Sequence, residues 1–257
     1  MSVIPPNGPR LLQITDTHLF ADPATEQAGI LPEARFQATL RAMAPWAVSA
    51  DGLLHTGDLV HDGSAEGYQR LRQALISLDL PGLVMPGNHD DRAGLQAAFA
   101  DGPVSAARTL RIGDWTLIGL DSLQTGEVPG HLDVAELAAL DRALADCSTA
   151  YCLVALHHPP FPVGTAWLDA IGLDNPGALF QRLAGDYRVR AVVCGHVHMA
   201  FDGHANGCRT LATPATAAQF LAGAEGFAID RGPPAFRWLD LRADGGIDTG
   251  VVRVNGA

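Results

Sequence analysis

Six short apolar runs recur along the chain, at Leu11–Thr15, Gly52–His55, Gly82–Met85, Trp115–Leu120, Tyr151–Leu156 and Val189–Cys194. Runs of this length, apolar at nearly every position, read as strands buried on both faces. Segments with helical spacing lie between them. Phe36, Leu40, Met43 and Ala47 form one stripe, which Pro45 is expected to kink or end, and Leu137, Leu140 and Leu144 form another. Asp133, with Glu136 three residues later, resembles a capping box ahead of the second stripe. Strands alternating with helices predict an α/β fold with largely parallel pairing. The last fifth differs. Arg209–Thr213, Gly226–Asp230, Phe236–Leu241 and Ile247–Val254 read as strands joined by short turns, with a hairpin signal at Ala243–Gly246. With no repeat or long linker, one domain over residues 1–257 is the simplest account, with a β-rich end from about residue 200.

Five of the runs end in residues that bind metals. The first leads into Asp16-Thr17-His18 and the second into Gly57-Asp58. The third leads into Gly87-Asn88-His89-Asp90, the fifth into His157-His158-Pro159-Pro160, and the sixth into Gly195-His196-Val197-His198. In open α/β sheets, ligand sites form beyond the carboxyl ends of the strands, so these groups are expected to converge. Asp16 and His18, like His196 and His198, are two apart, which puts both members of a pair on one side of an extended chain. The donors are oxygen and imidazole nitrogen with no thiolate. That set favours two divalent or transition-metal ions of the Mn, Fe or Zn kind over a Cys-rich zinc site or a calcium cage.

Composition narrows the partners. A formal charge of −11 argues against nucleic acid or an anionic membrane surface as the partner. Bound cations would reverse the sign locally and admit an anionic substrate. No apolar run approaches the roughly 20 residues that span a bilayer, and Met1–Arg10 has no basic segment followed by an apolar one, so no signal peptide is expected. The four cysteines form no C-x-x-C pair, and a cytoplasmic, reducing compartment fits them.

These five motifs, in this order, resemble the calcineurin-like metallophosphoesterase superfamily. The resemblance runs from about Leu11 to His198 and implies a four-layer α-β-β-α sandwich of two mixed sheets flanked by helices. Carried over by position, it implies that Asp16, His18 and His198 hold a first metal, that Asn88, His157 and His196 hold a second, and that Asp58 bridges both. At the fourth motif His157 is the implied ligand, with His158 the runner-up. Asn88, His89 and His198 are the implied substrate contacts, and relatives include homodimers.

Within the superfamily the chain is most similar to bacterial 3′,5′-cyclic AMP phosphodiesterases. The segment Thr213–Phe220 resembles their Pro-Ser-Thr…Gln-Phe stretch, and Pro234–Gly245 their terminal strand and hairpin. Ala215 stands where many relatives carry Ser, and Ala217 where Cys is common. The implied reaction is hydrolysis of a small phosphodiester, a 3′,5′-cyclic nucleotide, to the 5′-monophosphate. Two cations sharing Asp58 would lower the pKa of a bridging solvent molecule, whose hydroxide would attack phosphorus. His89 would protonate or stabilise the leaving oxygen, and Asp90 would orient the His89 ring.

Glycerophosphodiesterases and broad-specificity phosphodiesterases or phosphatases of the superfamily share the metal ligands and are the alternative enzyme reading. A partner-binding scaffold on the same fold is the non-enzyme alternative. Such a scaffold is expected to have lost ligands, and all seven are present. Of the other histidines, His55, His61, His131, His158 and His204 are read as packed or surface residues, with His61 able to line the mouth of the site. Trp167 is the tryptophan best placed to stack on a base.

Overall fold

The computed structural model describes residues 6–255. In chain order, the first half contains β1 (Arg10–Ile14), α1 (Pro32–Ala47), β2 (Gly52–His55), α2 (Ala65–Ile76), β3 (Gly82–Val84), α3 (Arg92–Ala98), β4 (Val104–Ser105), β5 (Thr109–Ile112) and β6 (Trp115–Gly119). Then follow α4 (Val134–Asp146), β7 (Tyr151–Ala155), α5 (Ala166–Asp169), α6 (Pro176–Leu183) and β8 (Val189–Cys194). The β-rich end holds β9 (Phe201–Ala205), β10 (Cys208–Ala212), β11 (Gln219–Phe220), β12 (Ile229–Asp230), β13 (Ala235–Leu241) and β14 (Ile247–Arg253).

Two six-stranded sheets carry the fold, one in the order β14-β13-β1-β2-β3-β4 and the other β5-β6-β7-β8-β10-β9. The parallel strands are β1 to β4 in the first, with β4 at one edge, and β6, β7, β8 and β10 in the second. Antiparallel strands complete the sheets: β13 and β14 at the other margin of the first, β5 and β9 at the two margins of the second. Both sheets are therefore mixed, as the resemblance implied.

Side-chain alternation along β1 shows how the layers form. Leu11 points between the sheets, where it meets Leu54 and Leu83 of its own sheet and Leu117, Leu153 and Val193 of the other. Leu12 and Ile14 point the opposite way, into a second core with Phe36 and Met43 of α1 and Leu71 of α2. On the far side of the second sheet, Val154 and Val192 pack under Leu140 of α4 and Leu179 of α6. Helices, sheet, sheet and helices make the four-layer α-β-β-α sandwich. The central strands are buried on both faces, which is why they read as unbroken apolar runs.

Side chains start three of the helices. Ser64, Asp91 and Asp133 each accept a hydrogen bond from the backbone N–H three residues on, at 3.3, 2.6 and 2.7 Å. The capping box at Asp133 is only half formed: Glu136 turns instead to Arg108 and accepts from the Asp121 backbone N–H at 2.7 Å. Pro45 sits in the last turn of α1, which ends two residues later at Ala47. Among the described residues no helix is long and apolar enough to cross a membrane.

One buried ion pair pins the outer strands to β1. Arg10 donates from Nε and Nη2 to the two carboxylate oxygens of Asp240 on β13, at 2.6 and 2.7 Å. Its guanidinium also lies over the rings of Trp46 and Trp238. Both charges are buried, so removing one partner strands the other without water. Asp240→Ala is expected to destabilise the protein by about 3–5 kcal/mol, read as a drop in the urea midpoint. A paired Arg10→Met, Asp240→Leu replacement is expected to recover much of that loss.

Candidate metal centre

The predicted ligands leave the adjacent strand ends β1, β2 and β3 of one sheet and β7 and β8 of the other, and the structure brings all seven together. Backbone hydrogen bonds lace the turns. Asp16 N–H donates to Gly57 O at 3.0 Å, His18 N–H to Asp58 O at 3.0 Å, and Gly195 N–H to His157 O at 3.1 Å. Asp16, His18, Asp58, His196 and His198 all have positive φ, between 45° and 68°. This left-handed region costs a non-glycine residue of order 1–3 kcal/mol, and such strain clusters at functional sites. Tight turns there let main chain from five strands meet. The glycines beside the ligands permit that approach: a Cβ on Gly87 would overlap Asp58, and one on Gly195 would overlap Thr15.

Two donor sets face one another. Asp16, His18, Asp58 and His198 place one ligating atom each within 4.8 Å of the others. His198 Nε2 lies 3.1 Å from Asp16 Oδ1 and 3.3 Å from His18 Nε2. In the second set His157 Nε2 lies 3.2 Å from both Asn88 Oδ1 and His196 Nδ1. Asp58 Oδ2 sits between the sets, 3.6 Å from His18 Nε2 and 3.4 Å from His157 Nε2.

The rest of each donor is already committed. Asp16 Oδ2 accepts from Thr15 Oγ1 at 2.6 Å and His196 N–H at 3.1 Å. Asp16 Oδ1, buried and facing the imidazoles, has no hydrogen-bond donor. Asp58 Oδ1 accepts the His89 backbone N–H at 2.9 Å. His157 Nδ1 donates to Thr56 O at 2.7 Å, His196 Nε2 to Ile171 O at 3.0 Å and His198 Nδ1 to Ala218 O at 2.6 Å. An imidazole whose outer nitrogen is held by a carbonyl presents its other lone pair inward, as metal-binding histidines do. These residues fit a pair of cations.

The protonation states of the two carboxylates, His18 and His196 fit as well. Burial by itself would raise the Asp16 and Asp58 carboxyls, but His198 beside Asp16 and His157 beside Asp58 hold both below the usual carboxylate range. Burial pushes His18 well down, against the pull of Asp58. Burial and His157 push His196 down to about 3. His157 goes the other way: burial opposes its charge, but Asp58 outweighs burial and raises it to about 9. Ionised carboxylates and neutral imidazoles are the forms that ligate, so a cation at the second set would displace the extra proton of His157.

His158 is placed differently from His157. Its Nδ1 meets Ser122 Oγ at 2.8 Å and its Nε2 donates to Val128 O at 3.0 Å, so both nitrogens are taken by the protein. Asp90 does not orient the His89 ring. Its carboxylate is buried beneath the turn, where Oδ1 accepts from Val60 N–H and Tyr68 O–H at 3.0 and 2.9 Å. Oδ2 accepts from Leu59 N–H and Gly87 N–H at 3.1 and 2.9 Å. These bonds clamp the Asp58 turn to the Asn88 turn. The adjacent residue His89 is exposed, and its ring stacks on His61 at 4.3 Å.

Three more residues stand at the site. His61 touches His18. Phe220 stacks face to face on His198, with centroids 4.0 Å apart and planes at 6°. Phe227, two-thirds exposed, meets both Phe220 and Trp167 edge-on. Phe220 belongs to the Thr213–Phe220 segment, whose Thr216 and Ala217 N–H groups bond to the Thr15 and Asp16 carbonyls. That segment was the sequence signal for Phe220; Phe227 lies outside any motif. The remaining histidines lie apart from the two donor sets: His55 meets Thr17, His131 pairs with Asp174 and His204 is exposed on β9.

Two facing mixed sheets with paired oxygen and imidazole donor sets at their strand ends define a metal-dependent phosphoesterase. The calcineurin-like phosphoesterase family model matches residues 9–200, and the chain belongs to that family. It is 37% identical to the 3′,5′-cyclic adenosine monophosphate phosphodiesterase CpdA of Pseudomonas aeruginosa, over 95% of this chain and 90% of that one. It is 39% identical to the enzyme of the same name from Escherichia coli (strain K12), again over 95% of this chain and 90% of the other. A solved dimetal phosphatase from Danio rerio shares the fold at 15% identity, with a TM-score of 0.69 over 97% of this chain and 100% of that chain.

Replacing His157 or His158 by Asn separates the two neighbours. His157→Asn is expected to lower metal content, measured by elemental analysis, from two ions per chain toward one. His158→Asn is expected to keep two ions while losing about 1–3 kcal/mol of stability, because the Val128 carbonyl loses the donor that His158 Nε2 supplies.

Proposed function

We propose that the chain hydrolyses 3′,5′-cyclic nucleotides, cyclic AMP foremost, to 5′-monophosphates. The observation that carries this reading is the similarity to CpdA phosphodiesterases along 95% of the chain, well beyond the metal motifs. Asp16, His18 and His198 would hold one cation, Asn88, His157 and His196 the other, and Asp58 both. When bound, the cations supply Lewis-acid polarisation of the phosphoryl group and lower the pKa of solvent at the site.

The chain's own residues do the rest. Asn88 and His198 would place the phosphoryl oxygens. His89, held by its backbone N–H on Asp58 but with an exposed ring, would donate a proton to the leaving 3′ oxygen. Asp90 acts as a positioning residue, through the two turns that it ties together. Phe220 beside His198, with Trp167 and Phe227 packed edge-on against it, offers apolar aromatic surface on which a base can stack. A glycerol headgroup would have nothing to stack there, which favours nucleotides over glycerophosphodiesters.

The test is an assay of the metal-reconstituted protein on 3′,5′-cyclic AMP, 2′,3′-cyclic AMP, glycerophosphoethanolamine and a simple monoester. The highest kcat/KM is expected for 3′,5′-cyclic AMP, and a higher value for glycerophosphoethanolamine would overturn the assignment. His89→Ala is expected to keep normal metal content and lose about 10²–10⁴ in kcat. Phe227→Ala is expected to raise KM for cyclic AMP about fivefold, equivalent to ~1 kcal/mol of lost base stacking, while leaving any activity on glycerophosphoethanolamine, which has no ring to stack, unaffected.

A further inference from the structure

Each of the four imidazoles that face the cluster needs its outer nitrogen held. For His157, His196 and His198 a backbone carbonyl does this. His18 is different: its Nδ1 lies 3.2 Å from Nδ1 of another side chain, His61. A neutral imidazole carries one proton, so a His18 that presents Nε2 inward keeps that proton on Nδ1 and must donate it. His61 Nδ1 is then the acceptor.

Main chain fixes where His61 stands. Beyond β1 and β2 the chain continues as a short parallel ladder. His18 N–H donates to Asp58 O at 3.0 Å, Leu19 N–H to Leu59 O at 3.2 Å, and His61 N–H to Leu19 O at 2.7 Å. The same ladder that places Asp58 therefore carries His61 back against His18. Neighbours then hold the ring, with His89 stacked on it at 4.3 Å and 23°, and Phe20 packed at 4.8 Å.

We infer that His61 is a positioning residue that locks the tautomer and ring plane of His18 for the first metal. The inference rests on reading His18 as a ligand of that metal. Carbonyls that hold the other three imidazoles cannot be removed by substitution, whereas this acceptor can. Loss of such a partner lowers metal affinity by about 10–100-fold. Asn places its amide oxygen close to the position of histidine Nδ1, so it can stand in as the acceptor.

The test titrates Mn²⁺ calorimetrically into the metal-stripped full chain and into His61→Ala, His61→Asn and His18→Ala, with thermal melts of the metal-free proteins to confirm folding. The expected result is two ions in the parent and a first-site Kd raised about 10–100-fold in His61→Ala. The second site is expected to stay unchanged, and His61→Asn to recover most of the loss. Unchanged Kd values in His61→Ala, or equal weakening in the Ala and Asn variants, would overturn the inference alone. Three ions in the parent and two in His61→Ala would make His61 a ligand and also overturn it. Unaltered binding in His18→Ala would overturn the ligand reading and this inference with it.

Discussion

Two carboxylates buried among four imidazoles govern this molecule. Asp16 and Asp58 are almost fully out of contact with water. An isolated ionised carboxylate in such a place is held at large cost unless positive charge and hydrogen-bond donors surround it. Thr15, His196 N–H and His89 N–H supply some of the donors. The inward oxygen of Asp16 has none and faces a space shared with imidazole nitrogens. Metal-binding chemistry is the arrangement that resolves this frustration, and the left-handed turns, close glycines and Asp90 clamp all deliver the donors to that space.

The sandwich distributes the work between its layers. One sheet brings both aspartates, His18 and Asn88; the other brings His157, His196 and His198. Close to the cluster a polar bridge crosses the otherwise apolar interface between the sheets. Gln13 donates to Thr56 Oγ1 and Cys194 O and accepts from Thr213 Oγ1, which in turn accepts from Arg237 Nε. Every member is buried. A satisfied buried network of this kind specifies register in a way that interchangeable aliphatic contacts do not. It keeps the strand ends of the two sheets aligned where their side chains must meet.

Much of this was legible in the sequence because the signal was local. β2 and β8 begin and end where their apolar runs do, and the motif glycines and ligands follow at the strand ends. The short strands β4 and β11 were not legible: two residues of pairing leave no periodicity. β9 was hidden because its residues are half-buried to exposed on a sheet margin. Asp90 was misread for a different reason. Sequence adjacency to His89 suggested a shared task, but the two side chains take different partners: Asp90 accepts from Leu59 and Val60 N–H, and the exposed His89 ring stacks on His61. His61 and Phe227 matter through partners 43 and 7 residues away in sequence, and spacing alone does not encode such partners.

Because the donors come from both sheets, an ion seated between them is a cross-link made of coordinate bonds. Anything bound only by the folded chain adds to its stability according to its free concentration relative to its dissociation constant. Resistance to unfolding thus becomes a property of the medium as much as of the polypeptide. In a chelating buffer the two halves of the sandwich would lose that cross-link and keep their apolar interface, the Gln13 bridge and the other hydrogen bonds between the sheets.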